Sequence, residues 1–127
     1  MKVLCLLFGL GAVSLPSVAT ASEYFEGTWA RSKAECNDRE GPNSRTLISL
    51  SNRINGRRVP LFDQYENHCK IVRHATNSGI TILKANCFEF WENFTKDENG
   101  QNVAIALDVR NKMSLTIDGV AYLRCAR

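Results

Sequence analysis

Strict alternation of apolar and polar side chains along the C-terminal part of the chain constrains the fold more than any other feature. Across residues 102–110, Val103, Ile105, Leu107 and Val109 alternate with Asn102, Ala104, Ala106, Asp108 and Arg110. Residues 112–118 repeat the pattern with Met113, Leu115 and Ile117, and residues 120–127 continue it with Ala121, Leu123 and Cys125. Successive side chains of an extended chain point to opposite faces, so period-two alternation is what a half-buried antiparallel strand requires. Arg110-Asn111 separates the first two runs. Asp118-Gly119, a pair favoured in tight type I′ hairpins, separates the second two. The pattern predicts a three-strand meander.

Upstream the same period recurs less cleanly. Residues 79–90 read as a longer strand, with Leu83, Ala85 and Cys87 on one side and Ile82, Phe88 and Phe90 on the other. Asn77-Ser78-Gly79 turns it back onto a strand over 68–76, and residues 25–31 and 45–50 supply two more. Residues 32–44, with Gly41-Pro42-Asn43, read as a loop or at most one helical turn; 97–100 form another loop, and 53–67 show no clear period. No long 3.6-residue period follows the first 21 residues. About seven strands joined by short turns predict an all-β fold, a small antiparallel barrel or sandwich.

The N-terminus has a different character. Lys2 precedes an apolar run over 3–13, and a more polar stretch with Pro16 ends in Ala19-Thr20-Ala21. Small residues at these two positions fit the pocket of signal peptidase, so residues 1–21 are expected to be a cleaved signal peptide and 22–127 a single β-rich domain. The apolar run of 11 residues is well short of the roughly 20 that a spanning helix needs, so no stable membrane span is expected after cleavage. Cys5 would leave with the signal. Losing Lys2 and no acid takes the formal charge from +3 to +2 over the remaining 106 residues (127 less 21). A charge so small and mixed in sign gives no reason to expect nucleic acid. The densest basic patch, Arg53, Arg57 and Arg58 around Asn55-Gly56, reads as a solvated turn.

Four cysteines then remain: Cys36, Cys69, Cys87 and Cys125. An even count in a small exported domain reads as two disulfides, and the absence of any CxxC pair removes zinc-ribbon and thioredoxin-like readings. Three pairings are open. Cys36–Cys69 with Cys87–Cys125 is the expected one, each closing a loop worth about 3 kcal/mol in the chain-entropy account. Oxidised cysteines favour a binding role over thiol chemistry.

Gly27-Thr28-Trp29, preceded by Phe25, resembles the G-x-W motif that opens lipocalin and wider calycin barrels. Those folds set an arginine near the barrel's end across the tryptophan face, and Arg124, in Tyr122-Leu123-Arg124-Cys125, is the counterpart here. A planar guanidinium over an indole gains a cation–π contact. The resemblance covers these few positions, in a chain shorter than a usual lipocalin, and implies a β-barrel binder rather than an enzyme. The combination of a short signal, Gly-Thr-Trp, four cysteines and a C-terminal Arg-Cys is equally similar to small periplasmic bacterial proteins without assigned function.

Two runs carry the candidate chemistry. In residues 62–69, Asp63, Tyr65, Glu66 and His68 place carboxylates, a phenol and an imidazole close together, sufficient for acid–base work if they converge. The alternative is a polar loop pinned by Cys69 with Tyr65 as its packing anchor. His68 and His74 share a face if they lie on one strand, but about 20 Å of extended chain keeps them from one metal. In residues 87–94, Phe88, Phe90, Trp91 and Phe94 cannot all point inward from an alternating strand, with Trp91 facing away from Phe88 and Phe90 and Phe94 lying beyond. They read as an exposed aromatic surface rimmed by Glu89 and Glu92, or as a strand covered on both sides with Trp91 capping the barrel. Asn93-Phe94-Thr95 is a glycosylation sequon, relevant only in a eukaryotic source. No Gly-x-Ser-x-Gly elbow, phosphate loop or HExxH occurs. Glu89, Glu92, Asp97 and Glu98 would serve a glycosidase only if two of them faced each other across a cleft.

The leading expectation is a non-enzymatic, periplasmic or secreted binding module without metal or cofactor. Its partner would be another protein, such as a hydrolase that it inhibits, or an envelope component, met by residues 88–94 and 62–68. The second is a calycin-type small-ligand carrier with a cavity lined by Val103, Ile105, Leu107, Met113, Leu115 and Ile117. The third is a small hydrolase using His68 with Asp63 or Glu66. N-terminal sequencing of the exported protein should begin Ser22-Glu23-Tyr24; a chain still starting at Met1 would refute cleavage.

Overall fold

The computed structural model describes residues 11–13 and 24–126. Of the expected signal segment, residues 11–13 are exposed chain without helix or strand, and the expected cleavage position lies outside the described residues. The rest forms β1 (Gly27–Ala30), β2 (Thr46–Ser49), β3 (Arg53–Ile54), β4 (Arg57–Arg58), β5 (Leu61–Gln64), β6 (Asn67–Asn77) and β7 (Ile80–Phe88). A six-residue helix α1 (Trp91–Lys96) and then β8 (Gln101–Asn111), β9 (Ser114–Ile117) and β10 (Val120–Arg124) complete it. Eight strands close an antiparallel barrel in the order β1-β10-β9-β8-β7-β6-β5-β2, and β3 and β4 form a separate ribbon. The all-β expectation holds as a barrel rather than a sandwich, with one more barrel strand than expected.

The extra strand comes from 53–67, the stretch without a clear period. It contains the β3–β4 hairpin, whose strands are two residues each, and β5, where adjacent Leu61 and Phe62 are both buried and break the alternation. Asn55-Gly56, read as a solvated turn, is the hairpin's tip, and both residues adopt positive φ (50° and 76°), the geometry of a type I′ turn. Ser78-Gly79 and Asp118-Gly119 turn the same way. Residues 32–44 contain a single short 3-10 turn, Ala34–Asn37.

The meander β8–β9–β10 is present, with two shifts of detail. Asn111 pairs with Ser114, so the first turn is Lys112-Met113 rather than Arg110-Asn111. Met113 is therefore exposed at a turn instead of facing inward with Leu115 and Ile117. The two-residue turn at Asp118-Gly119 sets Tyr122 opposite Leu115. Directly opposed residues share a face, so Tyr122, not Ala121 and Leu123, packs against the interior cluster.

Inside the barrel Phe25, Trp29, Ile48, Phe62, Leu83, Leu107 and Leu115 are buried and pack into one cluster. Arg124 lies across Trp29, its guanidinium carbon 4.3 Å from the ring centroid. It donates to the carbonyls of Glu26 (2.6 Å), Tyr24 (2.5 Å) and Lys112 (2.7 Å). The indole Nε1 donates to Phe25 O at 2.8 Å. Gly27 is required here: at φ 140° a Cβ would collide with the Arg124 guanidinium.

The disulfides are Cys36–Cys125 and Cys69–Cys87, which corrects the expected Cys36–Cys69 and Cys87–Cys125. Cys69 and Cys87 stand directly opposite each other on β6 and β7, with Cα atoms 4.0 Å apart. Closure pairs β10 with β1, which brings Cys125 to within 5.5 Å (Cα–Cα) of Cys36. The pairing of β6 with β7 and of β10 with β1 decides the connectivity. Non-reducing peptide mapping should recover Cys36 with Cys125 and Cys69 with Cys87. Replacing Cys36 and Cys125 together by alanine removes a cross-link spanning 89 residues and should lower unfolding stability by about 4.5 kcal/mol in chemical denaturation. An unchanged transition would overturn that account.

Candidate functional site

Leu47, Asp63, His68 and Phe88 form one row across β2, β5, β6 and β7, opposed in pairs on the outer face. Their strand neighbours Ile48, Phe62, Cys69 and Cys87 fill the interior, so alternation sends this row outward. Phe88, Leu61 and Phe94 make a second buried cluster, with α1 laid over this face as its cover. The helix exists because Trp91 and Phe94, three residues apart, lie on one helical face and both bind the sheet. Phe94 meets Phe88 edge-on at 5.8 Å and Trp91 edge-on at 4.9 Å.

Trp91 stacks on the His68 imidazole, with centroids 3.9 Å apart and planes inclined by 21°. His68 Nδ1 lies 2.5 Å from Asp63 Oδ1, so the carboxylate on β5, the imidazole on β6 and the indole on α1 form one connected stack. The two runs singled out in the sequence converge here. Beside the stack opens a recess of about 320 Å³, lined by Asp63, Tyr65, Glu66 and His68 from one run and by Glu89, Phe90 and Trp91 from the other. Phe90 is 55% exposed, and Trp91 and Tyr65 are each 47% exposed.

Four expectations change in detail. Phe88 on the sheet and Phe94 on the helix are buried against each other and offer no contact surface. Strand β7 ends at Phe88, and Phe90 and Trp91 open the helix instead of alternating on a strand. His68 and His74 do not share a face. A bulge between Ile71 and Arg73 shifts the register, so His74 stands opposite the interior Leu83 and meets the Phe25 ring edge-on at 5.9 Å. The reading of Tyr65 as a packing anchor also changes: it is exposed in the two-residue turn between β5 and β6, where Glu66 takes positive φ. Lys70, not marked by any sequence motif, sits over Phe94 and Phe88 at 4.7 and 5.2 Å. Only its place one residue after Cys69 on an alternating strand could have set it on the outer face.

Among the described residues no group of three or more His, Cys, Asp or Glu converges to hold a metal ion, and no helix is long and apolar enough to cross a membrane. The class that fold and site define is a closed eight-stranded antiparallel barrel with two disulfides and an aromatic recess on its outer face. The chain matches no family model, no curated protein and no solved structure.

Electrostatically the recess shows one marked feature. A hydrogen bond to the Glu66 carboxylate, and then its charge, raise the Tyr65 phenol above its ordinary value of 10.0. Deprotonation would set two anions side by side. Glu66→Gln should therefore lower the Tyr65 pKa, read as tyrosinate absorbance in a spectrophotometric titration and compared with Tyr65→Phe to isolate its signal. An unchanged titration would separate the two groups.

Proposed function

We propose that the chain is exported to the periplasm or beyond, loses residues 1–21, and works as a non-enzymatic binding module. Its partner is a protein or an envelope component, with a hydrolase that it inhibits as one form of that role. The observation that carries the reading is the convergence of residues 62–68 and 88–94 on one recess with Tyr65, Phe90 and Trp91 exposed at its edge. Half-exposed aromatics around a concavity are the composition of interface anchors. Stacking of Trp91 on a His68 that Asp63 holds in place fixes one ring before a partner arrives. Less side-chain freedom is then lost on binding.

The barrel's eight strands and the Arg124–Trp29 contact support kinship with calycin barrels. The interior supports surface binding over internal carriage. Phe25, Trp29, Ile48, Phe62, Leu83 and Leu107 occupy the space that a carried ligand would need, and Met113, one of the expected cavity residues, is exposed. One observation favours the hydrolase reading: His68 is hydrogen-bonded to Asp63 beside a recess, as general-base chemistry requires. Against it, the Trp91 indole covers one face of the imidazole.

Affinity capture from the native cell-envelope extract, followed by a direct affinity measurement on the partner identified, tests the reading. Trp91→Ala should weaken binding by about 30-fold, the size of a central interface anchor of about 2 kcal/mol. Equal capture by wild type and Trp91→Ala would dismiss this face. Hydrolysis by the wild type that is lost in His68→Ala but kept in Trp91→Ala would favour the enzyme.

A further inference from the structure

A second concavity, of about 540 Å³, opens on the other side of Trp91, between the β3–β4 hairpin and α1. Ile54 and Val59 form its hairpin wall, and Trp91 and Phe94 its helical wall. Three cations line it, Arg57, Arg58 and Lys70, and no acidic residue does.

These charges are held in place. Arg58 Nε donates to Leu50 O at 2.9 Å. Lys70 is fixed above the Phe88 and Phe94 rings, with one carboxylate contact, to Asp97 at 3.3 Å, whose side chain is 67% exposed. The hairpin is closed at its base where Val59 N donates to Asn52 O (2.8 Å) and Asn52 Nδ2 donates back to Val59 O (3.1 Å). It is closed at its tip by Arg53 Nη1 on Gly56 O at 2.8 Å. Arg57 differs. It is exposed, and its guanidinium makes no hydrogen bond or ion pair among the described residues.

Three like charges around one hollow repel each other, and an anion seated among them relieves that repulsion. Guanidinium forks match the paired oxygens of a phosphate or carboxylate, whereas Lys70 supplies a point charge. The aromatic and aliphatic walls offer nothing to an oxyanion but suit a flat apolar body. The volume lies within the roughly 300–1,000 Å³ of small-molecule sites. We infer that this groove binds a small soluble oxyanion carried on an aromatic or branched apolar body, with the oxyanion at Arg57, Arg58 and Lys70 and the body against Trp91 and Phe94. The inference rests on the groove alone and is independent of the protein-binding reading.

Phenyl phosphate is the probe. Of the two tryptophans, Trp29 is fully buried and Trp91 half exposed, so a ligand in the groove is read by Trp91 fluorescence, with calorimetry as a second measure. Saturable binding to the purified oxidised protein is expected, at least about tenfold tighter than phenol or inorganic phosphate alone. It should weaken with added salt, and by about tenfold or more in Arg57→Ala, with most of it restored in Arg57→Lys. Arg57 is exposed, so Arg57→Ala should fold, which its unfolding transition verifies. No saturable signal, equal binding of phenol, or unchanged binding in folded Arg57→Ala would overturn the assignment. Binding to phosphatidylglycerol vesicles that phenyl phosphate fails to displace would also overturn it and give the cations to a membrane surface.

Discussion

The Arg124 guanidinium is the constraint on which the rest of the structure depends. It covers the Trp29 ring and donates to carbonyls of the segment entering β1 and of the β8–β9 turn. One side chain of the last strand thus joins the segment entering the first strand to the β8–β9 turn. A charged group makes hydrogen bonds stronger than neutral ones, and here they close the seam of the barrel. Cys36–Cys125 ties the same two ends of the domain covalently. Gly27 leaves the space that the guanidinium occupies.

Closure determines what the outer face can do. With the interior filled by Phe25, Trp29, Phe62 and the aliphatic residues of β7, β8 and β9, the accessible side-chain chemistry lies outside the barrel. There the closed sheet has no free edge, and the outer surface consists of side chains such as those on the β2–β5–β6–β7 face and of the helix that partly covers it. Helix α1 is too short to be stable in isolation. It holds because Phe94 is buried against Phe88 and Leu61, and this anchor presents Trp91 as a ridge between two concavities. One mixes the carboxylates of Glu40, Asp63, Glu66 and Glu89 with Arg39 and Arg45, and the other carries Arg57, Arg58 and Lys70 with no acid.

Legibility varied along the chain for physical reasons. Strands β7 to β10 and their Asp-Gly and Ser-Gly turns could be read because they are local: alternation and turn chemistry act between near neighbours in sequence. The Gly27, Trp29 and Arg124 motif pointed to the barrel's seam, because an indole and a guanidinium stack wherever strands bring them together. The β3–β4 hairpin was illegible because strands of two residues cannot display a period, and β5 because consecutive Leu61 and Phe62 are both buried, one under the helix and one inside the barrel. Residues 62–68 and 88–94 were both marked by composition, yet their meeting depends on the pairing of His68 with Phe88 across β6 and β7. The bulge that turns His74 toward Phe25 left no signal at all, since one inserted residue reverses parity without changing composition.

From its sequence alone the chain was determined to be antiparallel β, with paired cysteines and two chemically loaded segments, because period-two patterning, turn residues and cysteine number are properties of the chain itself. Tertiary structure decided the disulfide partners, the burial of Phe88 and Phe94 and the exposure of Phe90 and Trp91. It also set Arg57, Arg58 and Lys70 around one groove. Each of these depends on which strand lies beside which and on how the barrel closes, and that is fixed by pairings between residues distant in sequence.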